Sequence, residues 1–322
     1  MFAGDDEEQI EDYGDSEMAD TSGRDFLSQY RNINGKLKKR FLRKPNVAEA
    51  SEQYGALVTQ LENENQLDYA GFCCLSVAKC EQSLAHLPGE TAALIRASRL
   101  FLQAEKNIYK LGCPSFEENL QAAIGCYGKA ANLLVEQRQP SLAAGLCLEL
   151  GDALSQLGHT LEATTQYQRA AELQAGSPAD QAHALGLEAS CKIKLGDYDG
   201  ALHIFNDMAA LAETGGSYGV LCDIRHRCEV TRVLLLMILQ PTPQKLTPEL
   251  GTLLEKYAWA ENNSQSGILS EELFLLLQSV VMACQSKDVD ALHLLESDLQ
   301  ELLSPEQMDL MHILIRCMVS KI

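Results

Sequence analysis

The sequence predicts an all-α fold, a tetratricopeptide-like solenoid of helical hairpins, and three observations carry that expectation. The first is a helix-turn-helix written twice between Leu142 and Glu213. One copy runs Leu150-Gly151, Leu154, a turn at Gly158, then Ala163, Tyr167 and Ala170; the other runs Ala189, Gly196, Tyr198, Ala201, Phe205 and Met208. Gly158 to Gly196 and Ala163 to Ala201 are each separated by 38 residues. A tetratricopeptide unit is about 34 residues, with small residues where its helices cross, a ring on the second helix and Gly at the turn. The extra residues fall at Gly176-Ser177-Pro178, a connection where insertion costs little. The second observation is composition: 46% apolar residues but only 6% aromatic, with Ala and Leu dominant, as in helices packed on helices. The third is that no β-branched alternation of strand type appears.

The helical elements follow in order along the chain. Met1 to Gly23 holds nine acids and no base, with little to build a core, and is expected to be a disordered acidic tail. Residues 24–213 form the helical-repeat region, 214–219 a loop, and 220–322 a C-terminal helical region continuing the solenoid. Asp25 to Arg43 reads as a helix whose stripe is Phe26, Tyr30, Ile33, Leu37 and Phe41. Lys36, Lys38, Lys39, Arg40, Arg43 and Lys44 crowd around it, six bases in nine residues. Such a run is a solvated helix face, a nuclear address, an anionic-lipid patch or a docking face for an acidic partner. Pro45 stops that helix and Asn46 can cap the next.

Upstream of the two clear copies, Ala123, Tyr127 and Ala130 repeat the second-helix pattern, and Ala93, Ala97 and Leu100 repeat it faintly. Neighbouring hairpins must stack, because one pair cannot bury its apolar face alone. Ser115 with Glu118 and Ser304 with Gln307 have capping-box spacing; Ser177-Pro178 and Thr247-Pro248 are further helix starts. These signals divide the chain into about fourteen helices, with mostly short, antiparallel connections.

The last third loses the repeat signature but stays amphipathic. Leu273, Leu276, Leu277, Val280 and Val281 share one face, as do Met308, Met311, His312, Ile315 and Met318. The runs Leu234 to Leu239 and Leu273 to Leu277 are apolar on more than one face, so surface left exposed at the end of the array is expected. The longest apolar runs fall far short of the ~20 residues that cross a bilayer. Asp288, Asp290, Glu296, Asp298, Glu301, Glu306 and Asp309 make seven acids without a base, a solvated face or a surface aimed at a basic partner. The net charge of −19 makes nucleic acid a poor partner. Eleven Cys without a CxxC pair read as reduced, intracellular thiols.

No residue pattern asks for catalysis or a cofactor. Gly215-Gly216-Ser217-Tyr218-Gly219 fits GxSxG literally, but that motif works only as a strained turn between strand and helix. Cys222, His226 and Cys228 fail as metal ligands because Cys228 lies about 120° around the helix from Cys222 and farther still from His226, and they read as buried thiols and a core histidine. Cys73, Cys74 and Cys80 fail similarly. The five histidines at 86, 159, 183, 203 and 293 form no visible triad. The expectation is a non-enzymatic binding scaffold.

The run KLKKRFLRKPNVAEA from Lys36 to Ala50 resembles the 40-kDa huntingtin-associated protein family, also called the factor VIII intron 22 protein family. RLFLQAE from Arg99, LCLEL from Leu146, DYDGAL from Asp197, RCEVTRVLLLMILQP from Arg227, LEKYAW from Leu254 and EELFLLLQSVVMA from Glu271 extend the likeness, in one order. The acidic tail departs from that family's small-residue amino terminus, and its proline-rich loop is shortened here to Thr214–Gly219. The resemblance implies an adaptor that binds huntingtin, in one-to-one complex rather than as a homo-oligomer. It further implies an effector of an early-endosomal Rab GTPase, directly or through the complex, that recruits huntingtin to early endosomes and controls their motility. It places the chain in the cytoplasm, on early endosomes and also in the nucleus. Huntingtin being a helical-repeat protein, the contact would set helix surface on helix surface, apolar at its centre and charged at the rim. Candidate contacts are then the basic run and the seven acids. The alternative is a SNAP-like soluble adaptor of vesicle-fusion complexes, also built from Tyr- and Ala-rich hairpins.

Overall fold

The computed structural model describes residues 21–37, 46–213, 219–242, 244, 246–258 and 269–320. The described residues form fourteen α-helices and no strand. They are α1 (Thr21–Leu37), α2 (Val47–Asn63), α3 (Leu67–Ser83), α4 (Leu87–Lys110), α5 (Glu118–Glu136), α6 (Pro140–Gln156) and α7 (Thr160–Leu173). Then come α8 (Pro178–Lys194), α9 (Tyr198–Glu213), α10 (Val220–Leu239), α11 (Pro248–Ala258), α12 (Glu271–Ser286), α13 (Val289–Leu299) and α14 (Pro305–Val319). The chain divides into two compact units, Met1–Ala104 and Glu105–Ile322. The acidic stretch up to Asp20, the bases from Lys38 to Lys44 and the Thr214–Tyr218 part of the loop lie outside the described residues.

One turn builds most of the hairpins. After α2, α3, α5, α6, α8 and α12 the chain places a single residue in the left-handed region: Asn65, Ala85, Arg138, Gly158, Gly196 and Lys287. The amide after each reaches back into the helix just ended, as in Gln66 N to Leu61 O, His86 N to Glu81 O, Gln139 N to Leu134 O and His159 N to Leu154 O. Asp197 N to Lys192 O and Asp288 N to Ala283 O complete the set. This satisfies the last carbonyls of one helix. The same residue's carbonyl then accepts the first amide bond of the next helix, as His159 does from Ala163 and Asp197 from Ala201. A short, rigid turn thus sets each following helix beside its predecessor. The signature missing from the C-terminal sequence returns in the backbone at Lys287-Asp288.

In the first unit, α2 packs against α1 and α3 around Tyr54, Leu57, Val58 and Leu61. Gly71 on α3 lies flat against the Phe101 ring of α4; a Cβ there would stand 2.8 Å from the ring, so only glycine allows this approach. The large residue of the faint upstream stripe is therefore Phe101, fully buried, and not Leu100, which is half-exposed.

In the second unit, α5 to α10 pack each against the next. The α6/α7 crossing repeats the glycine-on-ring device, with Gly151 against Tyr167, whose hydroxyl donates to Asp152 at 2.7 Å. In the second copy Ala189 and Phe205 are both fully buried. The fold is the all-α stack of helical hairpins that the duplicated motif predicts. Asn46 caps α2 by accepting the Glu49 amide, and Ser304 with Gln307 forms the full capping box of α14. Gln307 is buried and also donates to Thr231 of α10 at 3.1 Å, so the cap doubles as a tie between helices. The Ser115 box does not form: Ser115 accepts the Glu117 amide at 2.9 Å, and α5 starts without a side-chain cap.

The long apolar run of α10 is not exposed. Val233 through Ile238 are all buried, because α10 runs among α8, α9, α12 and α14 and so has no free face. In the α12 run Leu273 and Leu277 are buried, while Leu275 is 49% exposed. On α14 the buried stripe is Leu310, Met311, Leu314, Ile315 and Met318; His312 turns outward, drawn to Glu296.

Candidate interaction surfaces

The predicted basic contact is visible only at its first member. Lys36, exposed at the end of α1, donates to Glu49 at 3.2 Å and Gln53 at 2.9 Å on α2. That ammonium holds the Glu49 carboxyl below its usual range. Lys38, Lys39, Arg40, Arg43 and Lys44 lie outside the described residues.

The acidic stretch separates into two groups. Asp288 caps α13 by accepting the Ala291 amide, Glu296 is bonded by His312 at 2.8 Å and His293 at 3.3 Å, and Glu306 pairs with Arg227 of α10 at 2.7 Å. Those three have structural partners within the unit. Asp290, Asp298, Glu301 and Asp309 are exposed; Asp309 alone of these comes near a base, with His312 at 4.0 Å. The free negative surface is thus smaller than the sequence implies, and it sits on α13, the turn after it and one face of α14.

An apolar patch went unread in the sequence. Between α4 and α5 Tyr109, Leu111 and Phe116 are 60%, 77% and 95% exposed. The connection is held in shape by a backbone bond from Cys113 N to Ile108 O and by the Ser115 turn. Three large apolar side chains so exposed within eight residues of sequence cost solubility and make this connection a candidate contact surface. The sequence signal is the Pro114-Ser115-Phe116 segment, which carries its aromatic just ahead of α5, next to the Ser115 that the spacing predicts as a cap.

Thiols and histidines do not assemble chemistry. All eleven Cys are free; burial pushes the Cys73 thiol up to about 12 and those of Cys126 and Cys228 to about 11, leaving them unreactive near neutrality. Of the Cys222, His226 and Cys228 set only Cys228 is buried; the other two are half-exposed, so His226 is not a core histidine. Among the described residues no three His, Cys, Asp or Glu stand close enough to hold a metal ion. Ser51, Glu81 and His86 do form a bonded chain, with Ser51 Oγ donating to Glu81 at 2.6 Å and His86 at 2.6 Å from the other oxygen. The order is wrong for a nucleophile, since the carboxylate separates hydroxyl from imidazole and the imidazole cannot take the hydroxyl proton. The bonds instead hold the Glu81 carboxyl below its usual range, with Ser51 the larger cause. Ser217 lies outside the described residues. No helix among the described residues is long and apolar enough to cross a membrane.

Residues 35–214 match the family model of the soluble NSF attachment protein, SNAP. A 40-kDa huntingtin-associated protein of Mus musculus is 41% identical over 92% of this chain and 93% of its own length. The chain belongs to the 40-kDa huntingtin-associated protein family. The Rattus norvegicus protein of the same name is 40% identical over the same share of both chains. The SNAP match spans α2 to α9, which contain five of the six repeated turns and both glycine-on-ring crossings.

Proposed function

We propose that this chain is a non-enzymatic adaptor that binds huntingtin. The carrying observation is 41% identity, over nearly the whole length, to a protein named for that association. A stack of helical hairpins supports the reading, since it offers extended helix faces for a partner. The complex is one-to-one, and the chain acts as effector of an early-endosomal Rab GTPase, recruiting huntingtin to early endosomes and controlling their motility. It works in the cytoplasm, at endosomes and in the nucleus. Phe116, Leu111 and Tyr109 serve as apolar anchors of the contact, while Asp290, Asp298, Glu301 and Asp309 supply charge at its rim.

The test is reconstitution of the full chain with purified huntingtin. Leu111→Ser with Phe116→Ser should weaken the complex by more than about tenfold, as removal of an interface anchor does. Both side chains are exposed, so the melting midpoint of the free chain should not move. Unchanged affinity would remove this patch from the interface, and absence of any complex would remove the partner.

The SNAP match over residues 35–214 favours a second reading, a soluble adaptor of vesicle-fusion complexes. Stimulation of an AAA ATPase by the chain would select it. Loss of an ester-hydrolysing activity in Ser217→Ala would instead revive an enzymatic reading.

A further inference from the structure

One of the core positions at which the two copies of the hairpin differ exchanges leucine for a carboxylate. In the first, Leu150 precedes Gly151 and is 1% exposed. Its counterpart 38 residues later, before Ala189, is Glu188, which is 7% exposed. A carboxylate stands where the repeat calls for leucine. Among the described residues no side chain donates a hydrogen bond to it and none pairs with it as an ion. Lys192, one turn on, gives its ammonium to Asp197 at 3.0 Å instead. The Glu188 oxygens open onto a cavity rather than being sealed in the core, and an unpaired carboxylate placed so is a candidate functional group.

Glu188 lines a cavity of about 350 Å³ between α7, α8 and α9. Glu172 comes to the same cavity from α7, Asp207 and His203 from α9, and Lys192 and Gln181 from α8. Burial raises the Glu188 pKa; Lys192 lowers it in part, and Glu172 and Asp207 raise it further. The site therefore sets three carboxylates against one lysine, whose ammonium is engaged by Asp197. These carboxylates do not converge tightly enough to bind one metal ion. The space is ample for a planar side chain, and a guanidinium offers five donors in a fork that spans separated acceptors.

We infer that the α7–α8–α9 cavity is a receptor for an arginine side chain of a partner protein, with Glu188 as the buried acceptor and Glu172 and Asp207 as its outer acceptors. The cavity does not depend on who the partner is, so this stands apart from the assignment of huntingtin. The guanidinium supplies the missing donors and favours ionised Glu188, so binding strengthens as pH rises through the range in which that carboxyl ionises.

The experiment is calorimetric titration of the full chain with Nα-acetyl-arginine amide, a mimic of an internal arginine. The lysine and citrulline analogues and free L-arginine are run beside it. Saturable one-to-one binding with a dissociation constant on the order of 1 mM is expected for the arginine amide, with citrulline inert and lysine several-fold weaker. Glu188→Gln, near-isosteric and uncharged, should weaken it at least tenfold, and Asp207→Asn, more exposed and so harmless to folding, several-fold; Glu162→Gln elsewhere on α7 should not change it. Absence of saturable binding overturns the inference, as do binding that survives Glu188→Gln in a protein melting normally and citrulline or lysine binding as well as arginine. Tighter binding of free arginine than of the capped form would overturn the protein source of the side chain.

Discussion

Replacing Glu188 by leucine should stabilise this protein, and the second hairpin gives the scale. The first copy shows that the repeat accepts leucine at this position, where Leu150 is 1% exposed. Burying a leucine side chain contributes roughly 1.5–3 kcal/mol, and removing an unpaired buried polar group recovers roughly 1–3 kcal/mol. Glu188 edges an open cavity rather than a sealed core, so both terms belong at their lower ends. The net gain is about 2 kcal/mol, or roughly 4–8 °C in melting midpoint at ~2–4 °C per kcal/mol for a domain of this size. The gain should also depend on pH. Glu188 has a folded pKa raised above its ordinary 4.5, so as pH climbs past that value the unfolded chain releases its proton first. Wild-type stability then falls until the folded pKa is passed and levels off above it. The Leu variant has no such group, so its advantage should be smallest below about pH 4.5 and grow to a plateau toward neutrality. Circular-dichroism melts of the full chain across that range measure both quantities. A lower midpoint for Glu188→Leu, or a gap independent of pH, would refute the claim that the carboxylate is buried without compensation.

Three other outcomes follow from the described geometry. Ala85→Gly should stabilise the first unit by about 1 kcal/mol in denaturant unfolding, since Ala85 occupies the left-handed region at φ 55° where a Cβ is strained; glycine's extra unfolded-state freedom offsets part of a cost of ~1–2 kcal/mol. Tyr167→Phe should destabilise by about 1 kcal/mol without opening a cavity, because only the 2.7 Å bond to Asp152 is lost, and the same unfolding assay reads it. Asp298→Lys with Glu301→Lys should slow association with huntingtin and flatten its salt dependence while leaving dissociation and helicity nearly unchanged, as rim charges act on encounter through a field screened over ~8 Å. Stopped-flow binding at two salt concentrations checks this, and Glu296 is left alone because His312 holds it.

The hairpin class was legible because two of its turns carry glycine and two of its crossings pair a small residue with a ring. The remaining turns were hidden for one physical reason. Asn65, Ala85, Arg138 and Lys287 take up the same left-handed backbone as Gly158 and Gly196, and of these four only Asn65 is of a type that favours it. Tertiary packing fixes those turns, where local preference would not. The first glycine-on-ring crossing escaped because Gly71 and Phe101 are thirty residues apart on α3 and α4, with no second copy in phase to expose the pairing. The exposure expected of the α10 run failed for a related reason: an all-apolar helix looks the same in sequence whether its outer face meets solvent or a later helix such as α14. The acidic run is plain in the sequence, but Glu296 and Glu306 are occupied by His312 and Arg227, partners distant in sequence.

The Glu188 cavity was the least legible feature, and the reason bears on function. Glu188 and Lys192 stand four apart on one helix, the ordinary sign of a solvated ion pair. Each replaces a leucine of the first copy, Leu150 and Leu154, both 1% exposed. A third change completes the set: Asp197 stands where the first copy has His159 in the turn, and it takes the Lys192 ammonium at 3.0 Å. Its own pKa is lowered by that bond first and by the Gly200 amide second, so it stays charged and keeps hold of the lysine. Had the turn kept histidine, Lys192 would be free to neutralise Glu188, and the cavity would be a closed ion pair with nothing to offer a ligand. Agreement between the copies holds the hairpin together, with small residues at the crossing, a ring opposite and glycine in the turn. Three of the positions at which they part, 188, 192 and 197, leave one carboxylate without an ion-pair partner, at a place where an arginine from another protein can reach it.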